Sequence, residues 1–121
     1  MKGLIITNNP IVSEKFGNEY RVEYVDQSFE DLLARVRDFV HKGYVILTHP
    51  LSGSIKPKET PYKSVLLSEV PLLTGVEGES LKLIENSIIK AKAFEDKTNN
   101  LSESVLNDFR LIDLSLLESA L

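Results

Sequence analysis

Short apolar runs alternate with segments of helical periodicity along this chain, and that alternation restricts the folds that it can adopt. Apolar runs at residues 4–6, 44–47 and 64–68 are bounded by turn-forming residues, and residues 20–25 alternate between apolar and polar. Runs of this kind are typical of strands that are buried on both faces or wet on one. Strands that alternate with helices favour a parallel sheet with right-handed crossovers. The sequence therefore predicts an α/β fold.

Residues 28–42 carry the strongest helical signal. Ser28 is suited to cap the start of this helix, and Gly43 is suited to end it. The apolar side chains recur at the i, i+3, i+4, i+7 spacing of one buried stripe, at Phe29, Leu32, Leu33, Val36, Phe39 and Val40. This spacing predicts an amphipathic helix that packs against the sheet.

Weaker periodicity predicts three further helices. One is short, at residues 11–16, and the other two form a C-terminal helical pair over residues 81–94 and 101–120. We expect a small, mainly parallel, four-stranded sheet in the order 2-1-3-4, with the helices packed on it. The chain has 121 residues and shows neither repeats nor a linker, so residues 1–121 are predicted to form a single α/β domain.

Composition and charge argue against several classes of site. The chain has no cysteine and two histidines, which excludes disulfides and thiolate chemistry and makes a zinc site unexpected. The net charge is −4, and residues 69–121 carry most of the excess acid, whereas nucleic-acid binding needs a basic face. No run approaches the roughly 20 apolar residues of a membrane span. We expect a cytoplasmic protein with no metal, no cofactor, and no nucleic-acid or membrane partner.

Residues 48–63 form a polar segment between two predicted strands. The segment holds three of the five prolines of the chain, together with serines, threonines and a glycine. Loops of this length usually serve a function or are disordered, and proline favours order because it lowers the entropy lost on folding. Three lysines make the segment locally basic, namely Lys56, Lys58 and Lys63. The segment is predicted to attract a small anion or an acidic partner, and the alternative is a solvated loop with unremarkable charges.

The predicted strand order would bring two polar clusters into one crevice. Ligands of open parallel sheets bind at the carboxyl ends of the strands, where the strand order reverses. The residues that leave the first and third strands make up the predicted ligand-binding set: Thr7, Asn8, Asn9, Thr48, His49, Ser52, Gly53, Ser54 and Lys56. The prediction requires the two clusters to emerge side by side.

Members of this set also have ordinary structural explanations. Asn8 and Asn9 could close a turn on their own backbone, and residues 52–54 could form a plain tight turn instead of an anion-binding nest. His49 could act as an acid or base near neutral pH, or it could only hold the loop. No nucleophile elbow or pair of acids marks a reaction, so the catalytic residues are unknown, with His49 the one candidate.

The last predicted helix is apolar over much of its circumference. A helix of this kind is either deeply buried or shared with another subunit. One stripe comprises Val105, Phe109, Ile112 and Leu116. The pattern leaves open a homodimer through the C-terminal helix, or a purely interacting subunit.

Two segments carry a family resemblance. Residues 48–64 read Thr-His-Pro-Leu-Ser-Gly-Ser-Ile-Lys-Pro-Lys-Glu-Thr-Pro-Tyr-Lys-Ser, and residues 4–10 read Leu-Ile-Ile-Thr-Asn-Asn-Pro. Together they resemble the GrdX family of small proteins, which are encoded beside the glycine, sarcosine and betaine reductase complexes of anaerobic, amino-acid-fermenting bacteria. The resemblance implies an anaerobic, cytoplasmic setting and an accessory role near those reductases. It supplies no catalytic residues.

Two functional hypotheses follow from these observations. In the first, the chain is an accessory or regulatory protein that binds a small anionic metabolite or a reductase component through residues 48–63. In the second, it is a small enzyme of acyl or phosphoryl transfer or hydrolysis that uses His49 as acid or base.

Overall fold

A computed structural model describes residues 2–51 and 56–121 of the chain. The described elements are three short strands and four helices. In chain order they are β1 (Leu4–Thr7), α1 (Pro10–Phe16), β2 (Arg21–Tyr24), α2 (Phe29–His41), β3 (Ser64–Leu67), α3 (Gly78–Lys92) and α4 (Glu103–Ala120). The predicted α/β class, with a small sheet and helices around it, is confirmed.

The predicted strand number, direction and order are wrong. The sheet has three strands in the order β2-β1-β3. β1 runs parallel to β2 but antiparallel to β3. A parallel neighbour needs a crossover connection, usually a helix, whereas an antiparallel neighbour can be reached through a loop alone. No helix lies in the described part of the segment that precedes β3, so the antiparallel arrangement follows from the connection.

The predicted third strand, residues 44–47, forms only an isolated antiparallel bridge, between Ile46 and Leu67. Side-chain hydroxyls take the backbone donors that a longer ladder would use. The Val45 amide donates to Ser68 Oγ at 3.0 Å, and the Ile46 amide donates to Ser80 Oγ at 2.9 Å. The segment therefore lies beside β3 without extending the sheet as a full strand.

Alternation along the strands divides the core between the two faces of the sheet. Leu4 and Ile6 of β1, with Val65 and Leu67 of β3, belong to the larger apolar cluster, which includes buried residues of α2 and α3. Ile5 and Leu66 point the other way and belong to a smaller cluster with residues of α1 and α4. α3 and α4, the predicted C-terminal pair, are thus consecutive but pack in different clusters.

The strongest sequence signal, the helix predicted over residues 28–42, is confirmed as α2. Ser28 caps it, because its Oγ accepts a hydrogen bond from the Asp31 amide at 3.2 Å. Gly43 follows the helix with φ of +102°. A Cβ atom there would lie 3.0 Å from the carbonyl oxygen of Leu72, so both the backbone conformation and the available space favour glycine.

The buried face of α4 differs from the stripe that the sequence predicted. Asp113 and Leu117 are its buried residues, whereas Val105 and Ile112 are 38% and 36% exposed. The apolar periodicity predicted a neighbouring face of α4, because an acidic residue such as Asp113 does not contribute to an apolar stripe. Within the described residues, no helix combines the length and apolar composition that crossing a bilayer requires.

Candidate functional site

The adjacent ends of β1 and β3 carry a buried pair of hydroxyl groups. Thr7 and Ser64 are directly paired in the register of the two strands, and their Oγ atoms are 2.6 Å apart. Alternation places them on the same face as Ile5 and Leu66, the face covered by α1 and α4. Two polar side chains are thereby buried beside the smaller apolar cluster, where each requires hydrogen-bond partners.

Asp113 of α4 supplies the main acceptor for this pair. Its Oδ1 accepts from the Ser64 amide at 3.0 Å, and its Oδ2 accepts from Ser64 Oγ at 2.7 Å. Asp113 is 5% exposed. Burial raises the pKa of this carboxyl group above its ordinary value, and hydrogen bonds from Ser64 and Asn9 oppose the rise. The carboxylate therefore joins α4 to the sheet at an electrostatic cost.

The hydrogen bonds around Asp113 have one consistent direction when the carboxylate is ionised. The backbone N–H of Asn9 donates to Thr7 Oγ at 2.9 Å. Thr7 Oγ then donates to Ser64 Oγ, because the Ser64 hydrogen is used on Asp113. An ionised carboxylate can only accept hydrogen bonds. This fixes which atom donates in each bond of the series from Asn9 through Thr7 and Ser64 to Asp113.

Asn9 connects the start of α1 to α4. Its Oδ1 accepts from the Ile11 amide at 3.2 Å, as the N-cap of α1. Its Nδ2 donates to the Arg110 carbonyl oxygen at 2.9 Å and to Asp113 Oδ2 at 3.1 Å. Every polar group of this buried side chain has a partner within the protein, so Asn9 holds two helices in place.

Asn8 connects the end of β1 to the end of the 48–63 segment. Its Nδ2 donates to the Pro61 carbonyl oxygen at 2.7 Å and to that of Gln27 at 3.1 Å. Its Oδ1 accepts from the Lys63 amide at 2.8 Å. The asparagine corner and the polar segment do meet, but through residues 61–64 instead of the residues that leave the third predicted strand.

Thr48 and His49 line a cleft of about 200 Å³ beside this network. Thr48 Oγ accepts from the Leu66 amide at 2.9 Å, and His49 Nδ1 accepts from the Leu51 amide at 3.0 Å. Partial burial lowers the pKa of His49 below its ordinary value, and the positive charges of Lys63 and Lys90 lower it further. His49 is therefore neutral at pH 7. The other lining residues are Lys63, Ser64, Asp113, Leu116, Leu117, Ser119 and Ala120.

Other members of the predicted set lie elsewhere. Lys56 is exposed and is not among the residues that line this cleft. Ser52, Gly53 and Ser54 lie outside the described residues. Thr7, Asn8 and Asn9 are buried and hold the wall behind the cleft. The described structure thus places Thr48 and His49 at the cleft, whereas Thr7 and Asn9 are connected to it only through Ser64 and Asp113.

The sequence did not point to Asp113, and it pointed to Lys63 only as one of three lysines of a basic segment, outside the predicted ligand-binding set. Lys63 is 8% exposed. Burial lowers the pKa of its ammonium group, and the negative charge of Asp113 partly opposes that effect. Asp113 had a detectable signal, because it is an acid four residues before Leu117 in a helix that is apolar on most sides. The signal of Lys63 was the local positive charge that it shares with Lys56 and Lys58.

The chemistry of the site is that of a charged, hydrogen-bonded recess. Over residues 2–51 and 56–121, no three His, Asp or Glu side chains are grouped so that they could hold a metal ion. Among the described residues that line the cleft, the charged groups are one ammonium group and one carboxyl group, and the imidazole of His49 is a further titratable group. This arrangement can bind a small polar molecule through charge and hydrogen bonds.

Comparison with known proteins gives one match. No curated protein and no solved structure matches the chain significantly. The family model described as GrdX-like protein matches residues 4–121, which include every described element and both segments that carry the resemblance. The chain therefore belongs to the GrdX-like protein family.

Proposed function

We propose that this chain is an accessory or regulatory protein of the glycine, sarcosine and betaine reductase system, and that it binds a small anionic metabolite in the cleft beside α4. Membership of the GrdX-like family suggests the association with glycine reductase-related systems. The observation that carries the binding proposal is the buried Lys63 on the wall of a cleft of about 200 Å³.

Lys63 favours an anion for an electrostatic reason. A buried ammonium group has lost much of its hydration, as its lowered pKa reflects. An anion in the cleft restores favourable charge interactions in surroundings where they are strong. Asp113 supplies an opposite charge nearby. A bound anion would add a further favourable charge interaction to those that Lys63 already makes.

Calorimetric titration with acetate, inorganic phosphate, acetyl phosphate and glycine tests this proposal. We expect at least one anion to bind, and we expect Lys63→Met to weaken that binding at least tenfold, because the side chain keeps its length but loses its charge. Lys82→Met is the matched control, since Lys82 is exposed on α3. The absence of binding by all four compounds, or equal losses in both variants, would overturn the metabolite proposal.

The pH dependence of binding provides a second readout of Lys63. Its pKa is lowered in the free protein, so deprotonation removes the positive charge at a lower pH than for an exposed lysine. We expect the affinity for the anion to fall as the pH rises through that lowered pKa. Affinity that stays constant up to the ordinary titration range of lysine would assign the binding to another group.

The enzyme hypothesis keeps one supporting observation, which is that His49 lines the cleft and has a lowered pKa. A neutral imidazole can accept a proton at pH 7. Turnover of activated acyl or phosphoryl compounds, measured for the native chain and for His49→Gln, tests this second function. Activity that survives the substitution would remove His49 from the mechanism.

A further inference from the structure

β2 lies at one edge of the sheet, with β1 on its inner side. The backbone N–H groups of Arg21 and Val25 donate toward β1, at 3.0 and 2.8 Å. Because successive residues of a strand direct their backbone groups to alternate sides, the N–H groups of Val22 and Tyr24 point away from β1. Within the described part of the chain, neither of these two groups has a hydrogen-bond partner. An edge of this kind can pair with a strand of another chain.

We propose that two copies of the chain pair through β2, edge to edge and antiparallel, with Val22 on the two-fold axis. Residues 20–24 read Tyr-Arg-Val-Glu-Tyr, so a reversed copy of the segment sets acid against base. A two-fold interface brings the same surface of both copies together, and that surface must be complementary to itself. The outer edge of β2 meets this requirement.

Charge selects one register for the pairing. With Val22 opposite Val22 of the second copy, Arg21 stands opposite Glu23 in both halves of the interface. The two nearest registers that also keep the outward backbone groups paired set Glu23 against Glu23, or Arg21 against Arg21. Like charges that are directly opposite on neighbouring strands are destabilising, whereas opposite charges are favourable. The sequence of β2 therefore favours the register centred on Val22.

The same register satisfies the backbone groups of the edge. The N–H and C=O groups of Val22 would bond to those of Val22 in the second copy, and each Tyr24 N–H would donate to the Tyr20 carbonyl oxygen opposite. The N–H of Tyr20 already donates to the Phe16 carbonyl oxygen at 3.0 Å. Arg21 and Glu23 would then occupy the pair positions between these bonds, where opposing side chains come closest.

The two charged side chains have room for a second contact. Arg21 donates to Tyr44 Oη at 2.9 Å and lies 5.7 Å from the centre of the Phe39 ring. Within the described residues it has no carboxylate partner. Glu23 Oε1 accepts from Arg35 at 3.0 Å, and its other oxygen has no hydrogen bond there. An interchain ion pair can therefore form while these contacts within the chain remain.

Sedimentation velocity of the native chain tests the pairing. The strand contact is short, and interfaces of small area hold weak, reversible complexes. We therefore expect a monomer in dilute solution and a dimer that accumulates as the protein concentration rises to about 1 mM. A chain that stays monomeric over the whole series would overturn the inference.

Two single charge reversals test the register. Arg21→Glu makes the edge wholly acidic and Glu23→Arg makes it wholly basic, so each variant alone should dimerise more weakly than the native chain, by about tenfold or more. An equimolar mixture of the two should regain the dimer, because an acidic edge then faces a basic edge in the same register. Recovery on mixing also shows that both variants are folded. A mixture of the folded variants that remains monomeric would overturn the inference.

Lys82→Glu and Asp108→Arg are the matched controls. They change the net charge by the same amounts as the two reversals in β2, and both residues are exposed, on α3 and α4. Each should dimerise as the native chain does. A dimer that the β2 variants leave intact would overturn the inference, and its loss in Asp108→Arg would place the interface on α4 instead.

Hydrogen exchange of the native chain provides a readout that needs no variant. The amides of Val22 and Tyr24 should exchange more slowly at high protein concentration than at low concentration, because pairing gives them acceptors. The amides of Arg21 and Val25 are the internal control, since both already donate on the β1 side. Exchange at Val22 and Tyr24 that stays the same while dimers form would assign the dimer to another surface and overturn the inference.

Discussion

The two faces of the small sheet are built on different principles. The face toward α2 and α3 is closed by a large apolar cluster in which Leu4, Ile6 and Val65 are fully buried. The face toward α1 and α4 has a smaller apolar cluster and, at its edge, the hydrogen-bonded group of Thr7, Asn9, Ser64 and Asp113. One face relies on area removed from water, and the other adds directional bonds at a fixed position.

The difference matters because the two kinds of contact tolerate change differently. Apolar packing has no direction and accepts many combinations of similar volume, whereas a buried carboxylate is favourable only with its particular donors in place. The polar group therefore determines how α4 sits on the sheet. The cleft lies between α4 and residues 48–49 and 63–64, so the same bonds set its shape.

The largest expected effect comes from the apolar face. Ile6→Ala should lower the free energy of unfolding by about 3 kcal/mol, because it leaves a cavity in a closely packed core. Urea denaturation measures the loss, with Ile89→Ala as the control, since Ile89 is 66% exposed. The affinity of the folded variant for the anion should remain unchanged. A variant that folds but loses binding would show that the two faces are coupled.

A smaller loss of stability is expected from the polar face. Asp113→Ala should lower the free energy of unfolding by about 2 kcal/mol, because buried donors of Ser64 and Asn9 lose their acceptor. Asp108→Ala, on the same helix but exposed, is the control for charge. Equal stability of the two variants would mean that water from the cleft replaces the carboxylate at little cost.

The pH dependence of stability sharpens this second comparison. Burial raises the pKa of Asp113 in the folded chain, so the folded state takes up a proton before the unfolded state does as the pH falls. Protonation then removes an electrostatic penalty that is present at neutral pH. We expect the stability of the native chain relative to Asp113→Asn to increase as the pH falls through that raised pKa. Parallel curves for the two proteins would contradict the assignment.

The smallest effect is expected from the surface of the same face. Lys15 of α1 and Glu118 of α4 form an exposed ion pair at 2.6 Å. Exposed pairs contribute little after solvent screening and side-chain entropy are counted. Lys15→Ala should therefore change the free energy of unfolding by about 0.5 kcal/mol or less in urea denaturation. A loss as large as that of Asp113→Ala would mean that the surface ion pair, and not the buried group, holds α4 on the sheet.

The sequence predicted local features well because their causes are local. The helix between Ser28 and Gly43 has its cap, its apolar stripe and its left-handed end within sixteen residues. The relative direction of the strands was harder to predict, because an apolar run does not indicate whether it is parallel or antiparallel to its neighbour. The prediction assumed a mainly parallel sheet, whereas the described part of the segment before β3 contains no helix that could form a crossover.

The candidate site was predictable only in part for a related reason. Thr48 and His49 stood out through the unusual composition of their loop, and both line the cleft. Lys63 and Asp113 carry weaker signals in the sequence, and their place in the cleft follows from burial by distant segments. Pattern reading detects periodicity within a few turns, whereas the partners of Asp113 lie 49 and 104 positions away.

The bond between Asn9 and Asp113 also has a consequence for synthesis on the ribosome. It joins side chains 104 positions apart in the chain, and contacts of such separation form late because a long loop must close first. The nascent polypeptide can assemble α2 and its apolar partners early. The side-chain amide of Asn9 remains hydrated until α4 has been translated. Translation thus delivers the α4 side of the cleft well after residues 48–64, and the cleft is complete only once α4 has been made.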